Sequence, residues 1–237
     1  MRFAQNIFLV TCLLLLFGCA NEKTTRSNVI EPFPYVVDEE STIIKSGETF
    51  VGNDEIENDF LFSSTTQLEK ELFFTTANKE REIEYRIVQV AREEQQTDFG
   101  VLITQNTIDQ KRLNLLYLTE GGDEAPNWEN EINERRAAWM KTCNNHNVTE
   151  LINEFYSITP FYYNHKPLVS NPAALIQEYS YMANENYQLT LTTLFKEPVN
   201  SSTVYEIGQC SGSYNGKYIL VWVKEDGEWK IKFDSNI

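Results

Sequence analysis

Residues 203–237 restrict the fold more than any other stretch of this 237-residue chain. Apolar and polar side chains alternate through 203–211, 218–224 and 228–233, and Glu225-Asp226-Gly227 separates the last two runs. A period of two sends successive side chains to opposite faces of a strand, and Asp-Gly between two such runs favours a tight hairpin. These runs, with a fourth at 187–196, are expected to be the closing antiparallel strands of a curved sheet. Trp229, next to the turn, reads as a core anchor.

Upstream of the sheet the period becomes helical. Trp128, Ile132, Arg135, Trp139 and Cys143 recur every three or four residues, with Asn127 as the expected N-cap after Pro126. Asn144-Asn145-His146-Asn147 interrupts this helix, and a second carries Val148, Leu151, Ile152, Phe155 and Tyr156 on one face. Pro160 is expected to end it, with 161–163 and 168–169 forming a hairpin around Asn164-His165. Asn171-Pro172 supplies the cap and first-turn proline of a third helix that buries Leu175, Tyr179 and Met182.

The first half has a similar order. Residues 33–37 and 42–44 are short β-like runs, and after a turn at Ser46-Gly47 a strand at 49–51 leads into a helix, capped by Asn53 or Asp54, that buries Ile56 and Phe60. A polar stretch follows to about Glu80 and is helix-permissive, with Leu68, Leu72 and Phe73 at helical spacing. Strands are expected at 83–91, 99–104 and 113–119. Residues 42–60 parallel 160–179, with Asn53 opposite Asn171, and 112–122 parallel 217–227. The chain therefore reads as a repeat. Residues 31–126 would be a divergent copy of 127–237, lacking its long opening helix and its last strand.

At the N-terminus, Arg2 precedes an apolar run at 7–17 that is shorter than the ~20 residues a spanning helix needs, so residues 1–18 read as a cleaved signal. Leu16-Phe17-Gly18-Cys19 resembles the lipobox of bacterial lipoproteins, which implies a lipidated Cys19 as the mature N-terminus and anchoring in a membrane. Each buried acyl methylene would contribute ~0.8 kcal/mol. Ala20, where inner-membrane lipoproteins often have Asp, implies an outer-membrane address in a bacterial cell envelope. An ordinary signal with an incidental Cys19 is the alternative. Polar residues 19–30 suit a flexible tether.

A formal net charge of −15 argues against nucleic acid as a partner, because a phosphate backbone would be repelled. Cys143 and Cys210 leave open one disulfide or two buried thiols. The two histidines, His146 and His165, have no neighbouring ligand at a helical interval, and neither metal nor another cofactor is expected. His165, in a Tyr-Asn-His-Lys turn, reads as a surface residue. Asn147-Val148-Thr149 and Asn200-Ser201-Ser202 match glycosylation acceptors, coincidentally for a bacterial lipoprotein.

Three helices, a hairpin and a run of long strands are followed by Asp226-Gly227-Glu228-Trp229-Lys230-Ile231 and Asp234. Together with Trp139, Asn171 to Leu175, Tyr205-Glu206-Ile207-Gly208, Gly216-Lys217-Tyr218 and Val221-Trp222-Val223-Lys224, this order resembles the nuclear-transport-factor-2-like superfamily, in its SnoaL-like branch. The resemblance covers residues 127–237. It implies an α+β fold in which a cone-shaped, curved antiparallel sheet wraps around helices and leaves a cavity at its open end, here in tandem. Members use that cavity for isomerisation or cyclisation, for small-molecule binding, or only as a dimerising scaffold, so fold leaves function open.

Isomerase-type members need a carboxylate base and acid donors inside an apolar cavity. Tyr156, Tyr162, Tyr179 and Tyr205 are candidate donors, and Asp234, where relatives have an acid, or Glu206 is the candidate base. Strict alternation puts Asp234 with Lys230 and Lys232, and Glu206 opposite Tyr205, Ile207 and Gln209, so both acids are expected to face solvent unless a bulge re-aims them. Trp139, Tyr205, Gln209 and Trp222, with Tyr156, Tyr162 and Tyr179, are candidate walls of a ligand cavity, Gln209 being a polar anchor. The same rings would equally fill a core. The expected function is an envelope lipoprotein that binds a small apolar ligand or a partner. The alternatives are a SnoaL-like isomerase or hydrolase with a Tyr/carboxylate pocket and a scaffold that homodimerises through the sheet.

Overall fold

A computed structural model describes residues 31–32, 35–57, 67–91, 97–164 and 167–236. The expected signal at 1–18, Cys19, the tether to residue 30, Phe60 and His165 lie outside them. Among the described residues the fold is α+β, with two curved, mixed sheets and few helices.

The first sheet comprises β1 (Glu31–Pro32), β2 (Thr42–Lys45), β3 (Glu48–Val51), β4 (Gln67–Asn78), β5 (Ile83–Ala91), β6 (Thr97–Asn106) and β7 (Lys111–Glu120). Their order is β1-β4-β5-β6-β7-β2-β3, and a short helix α1 (Asn53–Glu57) follows β3. Helices α2 (Trp128–Asn144), α3 (Val148–Phe155) and α4 (Pro172–Glu178) accompany the second sheet. That sheet contains β8 (Tyr156–Tyr163), β9 (Leu189–Asn200), β10 (Thr203–Gly212), β11 (Lys217–Glu225) and β12 (Glu228–Asn236), in the order β8-β12-β11-β10-β9.

Each sheet contains one parallel pair, β2 with β7 and β8 with β12, which corrects the purely antiparallel expectation. One pair joins β2 to the last strand of the first half and the other joins the first strand of the second half to its last, each across a crossover long enough for parallel pairing. The halves share this connectivity: β2-β7-β6-β5-β4 in one matches β8-β12-β11-β10-β9 in the other. In that correspondence β7 matches β12, whereas the sequence parallel of 112–122 with 217–227 pairs β7 with β11. Hairpin strands have similar compositions, so the sequence parallel does not follow the shared strand order. The first half does hold a counterpart of the last strand, and what it lacks among the described residues is a counterpart of α2 and α3.

Both faces of the second sheet are buried. Val204, Trp222 and Ile231 pack under Trp139, Phe155 and Leu175 of the helical layer. On the reverse, Tyr205, Ile207, Ile219, Val221 and Phe233 meet Tyr85, Ile87, Val101, Ile103, Leu115 and Tyr117 of the first sheet. Each large apolar side chain buried this way contributes about 1.5–3 kcal/mol, so the inter-sheet layer binds the halves tightly. Polar contacts fix their register: Tyr85 and Ser235 hydroxyls are 2.8 Å apart, and the Tyr205 hydroxyl donates to the Phe99 carbonyl at 3.1 Å. That face of the second sheet is thus covered by the chain's own first half.

Three local departures have physical causes. The stretch expected to be helix-permissive is the twelve-residue strand β4; its pairing with β5 shifts register three times, so bulges scramble the alternation that would have identified it. Asn127 precedes α2 but is left-handed (φ 60°) and makes no capping bond. Pro160 does not end a segment; it lies in β8, where residues 157–160 bulge between the Tyr156–Ile231 and Phe161–Phe233 pairs, a place that tolerates a missing N–H. Asn171 caps α4 as expected, accepting from the Ala174 N–H at 2.9 Å.

Candidate functional site

Lys232 is the residue on which the site depends. In the β11–β12 ladder Trp222 faces Ile231 and Val221 faces Phe233, so Lys232 is an extra residue in β12. A bulge of one residue reverses the alternation beyond it. Trp229 and Ile231 point to the helices, Phe233 points to the first sheet, and Asp234 returns to the helix side. The expectation of a solvent-facing Asp234 is therefore corrected: the residue is 2% exposed.

Two tyrosines hold it. The Tyr156 hydroxyl, at the start of β8, donates to Asp234 Oδ2 at 2.6 Å, and the Tyr179 hydroxyl, at the end of α4, donates to the same oxygen at 2.5 Å. Asn236 Nδ2 donates to the Tyr179 hydroxyl at 2.9 Å, and Tyr162 packs edge-on against the Tyr179 ring at 5.2 Å. Asp234 Oδ1 is buried and has no hydrogen-bond partner among the described residues. Burial pushes the carboxyl up to about 6, against the two tyrosine bonds that pull it down. Burial also pushes both hydroxyls well above the ordinary tyrosine value, with the Asp234 charge adding to the effect, so they are donors and not acids at neutral pH.

Asp234 borders a cavity of about 20 Å³, room for one water-sized group. Its aromatic walls are Trp139, Tyr181, Tyr187, Tyr214 and Tyr218. Met182, Leu189, Leu191, Cys210 and Leu220 fill the gaps between them. Tyr181, in the 3-10 turn Ser180–Ala183 after α4, is half exposed and stands at the mouth, edge-on to both Tyr179 and Tyr187. The Trp139 indole N–H is buried without a well-formed hydrogen bond, although it acts on the Tyr156 hydroxyl.

Glu206 is likewise buried, against expectation. It lies opposite Tyr205, as alternation predicts, but the helical layer covers that face. Arg136 Nη1 donates to its Oε1 at 2.9 Å, the Thr193 and Tyr218 hydroxyls each donate there at 2.7 Å, and Trp222 Nε1 donates to Oε2 at 2.9 Å. Tyr218 lies over Gly208, where a Cβ would come within 2.2 Å of the ring. Only a glycine leaves that ring room to reach Glu206.

Of the expected walls, Trp139 lines the cavity, and Tyr156, Tyr162 and Tyr179 form the polar layer beside Asp234. The other three do not. Tyr205 points into the inter-sheet core, Trp222 is spent on Glu206, and Gln209 bonds the Cys210 and Gly216 carbonyls and the Lys217 ammonium. Sequence reasoning missed Tyr181 and Tyr214, which sit in turns where no periodicity marks them, and Tyr187 and Tyr218, which open the alternating runs 187–196 and 218–224 without any sign that they border a cavity. Cys143 and Cys210 are unpaired, buried thiols, each pushed up to about 12 by burial. Among the described residues no cluster of His, Cys, Asp and Glu could hold a metal ion, and no helix is long and apolar enough to cross a membrane.

No protein-family model and no curated protein matches the chain. Among solved structures, an NTF-2 like protein of unknown function from Shewanella oneidensis MR-1 matches 45% of this chain and 96% of its own, with a TM-score of 0.41 and 11% identity. An NTF-2 like protein of unknown function from Silicibacter pomeroyi DSS-3 matches 45% and 92%, at 0.39 and 9%. A domain of unknown function with a cystatin-like fold from Nostoc punctiforme PCC 73102 matches 46% and 75%, at 0.39 and 15%. Scores and identities this low leave the reading of the site to the geometry above.

Proposed function

We propose that the chain is an envelope lipoprotein whose second half is a nuclear-transport-factor-2-like cone serving as a small-molecule binding module. The observation that carries the reading is Asp234: a buried carboxylate, with one oxygen unpaired among the described residues, at the edge of an aromatic cavity. Leaving a buried acceptor unmade costs about 1–3 kcal/mol, a cost that a ligand's donor removes. The cavity is far below the ~300–1,000 Å³ of sites that enclose a drug-sized molecule. The ligand therefore inserts one small polar head and leaves the rest of itself in the mouth by Tyr181. Titration of the soluble body with a panel of small alcohols, amides and amines, followed by tryptophan fluorescence, tests this. Saturable binding lost in Tyr187→Ala and Asp234→Ala is expected, and no binding by any member would reject the module.

The first half is read as a second copy of the cone that has lost its opening helices and braces the binding half. The shared strand order supports this. The envelope address rests on the N-terminal sequence. Cys19→Ser should release the protein from the membrane fraction, and unchanged membrane association would refute lipidation at that residue.

A second reading, isomerase or hydrolase, draws on the raised carboxyl of Asp234 beside two tyrosine hydroxyls. Both hydroxyls, however, are committed to Asp234 itself and not aimed at a point where a substrate oxyanion would form. Turnover of a dienolisable ketone or an epoxide, abolished by Asp234→Asn, would establish catalysis and displace the binding-only reading.

A further inference from the structure

Within the binding-module reading, on which this inference rests, the site's chemistry narrows the ligand. We infer that the cavity beside Asp234 takes a primary ammonium group, so that the ligand is a small organic amine whose –NH3+ head bonds Asp234 Oδ1 inside the aromatic walls. Three observations converge on this class. First, among the described residues the buried carboxylate has no cation: its bonds come from two neutral hydroxyls, and one oxygen has no partner. A desolvated charge left in this state is best compensated by an opposite charge brought into contact. Second, Trp139, Tyr181, Tyr187, Tyr214 and Tyr218 surround the cavity, and aromatic faces attract cations. Third, room for one water-sized group admits an –NH3+ head and excludes a quaternary ammonium. The formal charge of −15 adds a long-range field that draws cations toward the protein.

Glu206, two strands away on the same face, is the internal contrast. There the chain supplies its own cation, Arg136, and four donors occupy both oxygens.

The groups around Asp234 define the pH behaviour. Tyr156 and Tyr162 come from β8, Tyr179 and Tyr181 from the end of α4 and the turn after it, Cys210 from β10, Tyr218 from β11, and Tyr85 from the first sheet. Burial pushes every one of them up, so all stay neutral from about pH 5 to 8 and Asp234 alone changes charge among them. Glu178, next to Tyr179, acts on Tyr162, and His146 contacts the carbonyl of cavity-lining Met182 at 3.3 Å.

The experiment titrates the protein with n-propylammonium and, separately, with the neutral 1-propanol and propionamide at pH 8 in about 0.15 M salt, reading tryptophan fluorescence or calorimetric heat. Propylammonium is expected to bind at least about tenfold more tightly. Its affinity should fall toward about tenfold per pH unit below about pH 6, as Asp234 takes up a proton, while that of 1-propanol stays flat. Asp234→Asn should erase the preference for the amine, and the profile is repeated in His146→Gln as a control. If 1-propanol or propionamide binds as tightly as the amine at pH 8, the ammonium inference is overturned while the binding module stands. If none of the three binds, both fall. Because the pH profile is taken on the unaltered protein, the outcome does not depend on either variant folding.

Discussion

Glu206 and Asp234 occupy one row across the second sheet, each paired with Leu220 from opposite sides, and both are buried beneath the same helical layer. Their surroundings nonetheless differ. Glu206 has a guanidinium, two hydroxyls and an indole N–H distributed over both oxygens, and Asp234 has two hydroxyls on one oxygen and none on the other. A buried carboxylate that the chain neutralises itself locks α2, β9 and β11 together, so its place is structural. One left without a cation weakens the fold at neutral pH and persists for another reason.

The largest effect should come from breaking the satisfied site. Arg136→Met would leave Glu206 buried beside neutral donors only, and removing one partner of a buried pair costs about 3–5 kcal/mol. Urea unfolding at pH 7 measures it, and a loss below about 1 kcal/mol would mean that the pair does not hold the fold.

Asp234→Asn should have the opposite sign. The folded carboxyl titrates at about 6 against an ordinary 3.8, so the native state holds the proton more tightly than the unfolded chain does. Stability is therefore fullest below about pH 4, declines as pH rises through 4 to 6, and stays reduced above, by up to about 3 kcal/mol. Asparagine carries no charge to desolvate and still accepts from a tyrosine, so the variant should lose this slope and exceed the parent in stability at pH 7. If it is instead destabilised as strongly as Arg136→Met, the two carboxylates are alike and the contrast fails.

How much of this was legible beforehand follows the same contrast. Unbroken alternation gave β10, β11 and the closing hairpin, and Asn171-Pro172 gave the start of α4. The parity of Glu206 was legible as well. What alternation does not carry is what covers each face, and a sheet sandwiched between helices and a second sheet has no solvent side. Arg136, one residue from the Arg135 of the apolar stripe, was the available signal for a buried anion partner. Asp234 was illegible for a different reason: its segment alternates without a flaw, and the Lys232 bulge is set by the registers of β8 and β11 rather than by its own sequence. Two of the cavity's rings, Tyr181 and Tyr214, were hidden because they lie in turns.

A smaller effect tests the packing that lets Glu206 be satisfied. In Gly208→Ala the new methyl would meet the Tyr218 ring, itself buried, and push its hydroxyl off Glu206. Overpacking of this kind costs about 1–3 kcal/mol. Adding Tyr218→Leu should make the alanine nearly neutral in the double variant, and additive losses would place the strain elsewhere.

The smallest change separates the two sites by pH rather than by stability. Tyr179→Phe removes one of the two hydroxyls that favour the charged form of Asp234. With that donor gone the carboxyl should titrate above about 6, and the pH at which stability levels off should move up with it, while the loss at acid pH stays at about 1 kcal/mol. Tyr218→Phe removes a comparable hydroxyl from Glu206, where Arg136, Thr193 and Trp222 remain in contact, so its cost should be no more than about 1 kcal/mol. Stability of the Tyr179 variant, followed against pH beside the parent, reads the shift directly. An unchanged profile in that variant would mean that the Tyr179 hydroxyl does not favour the charged form of Asp234.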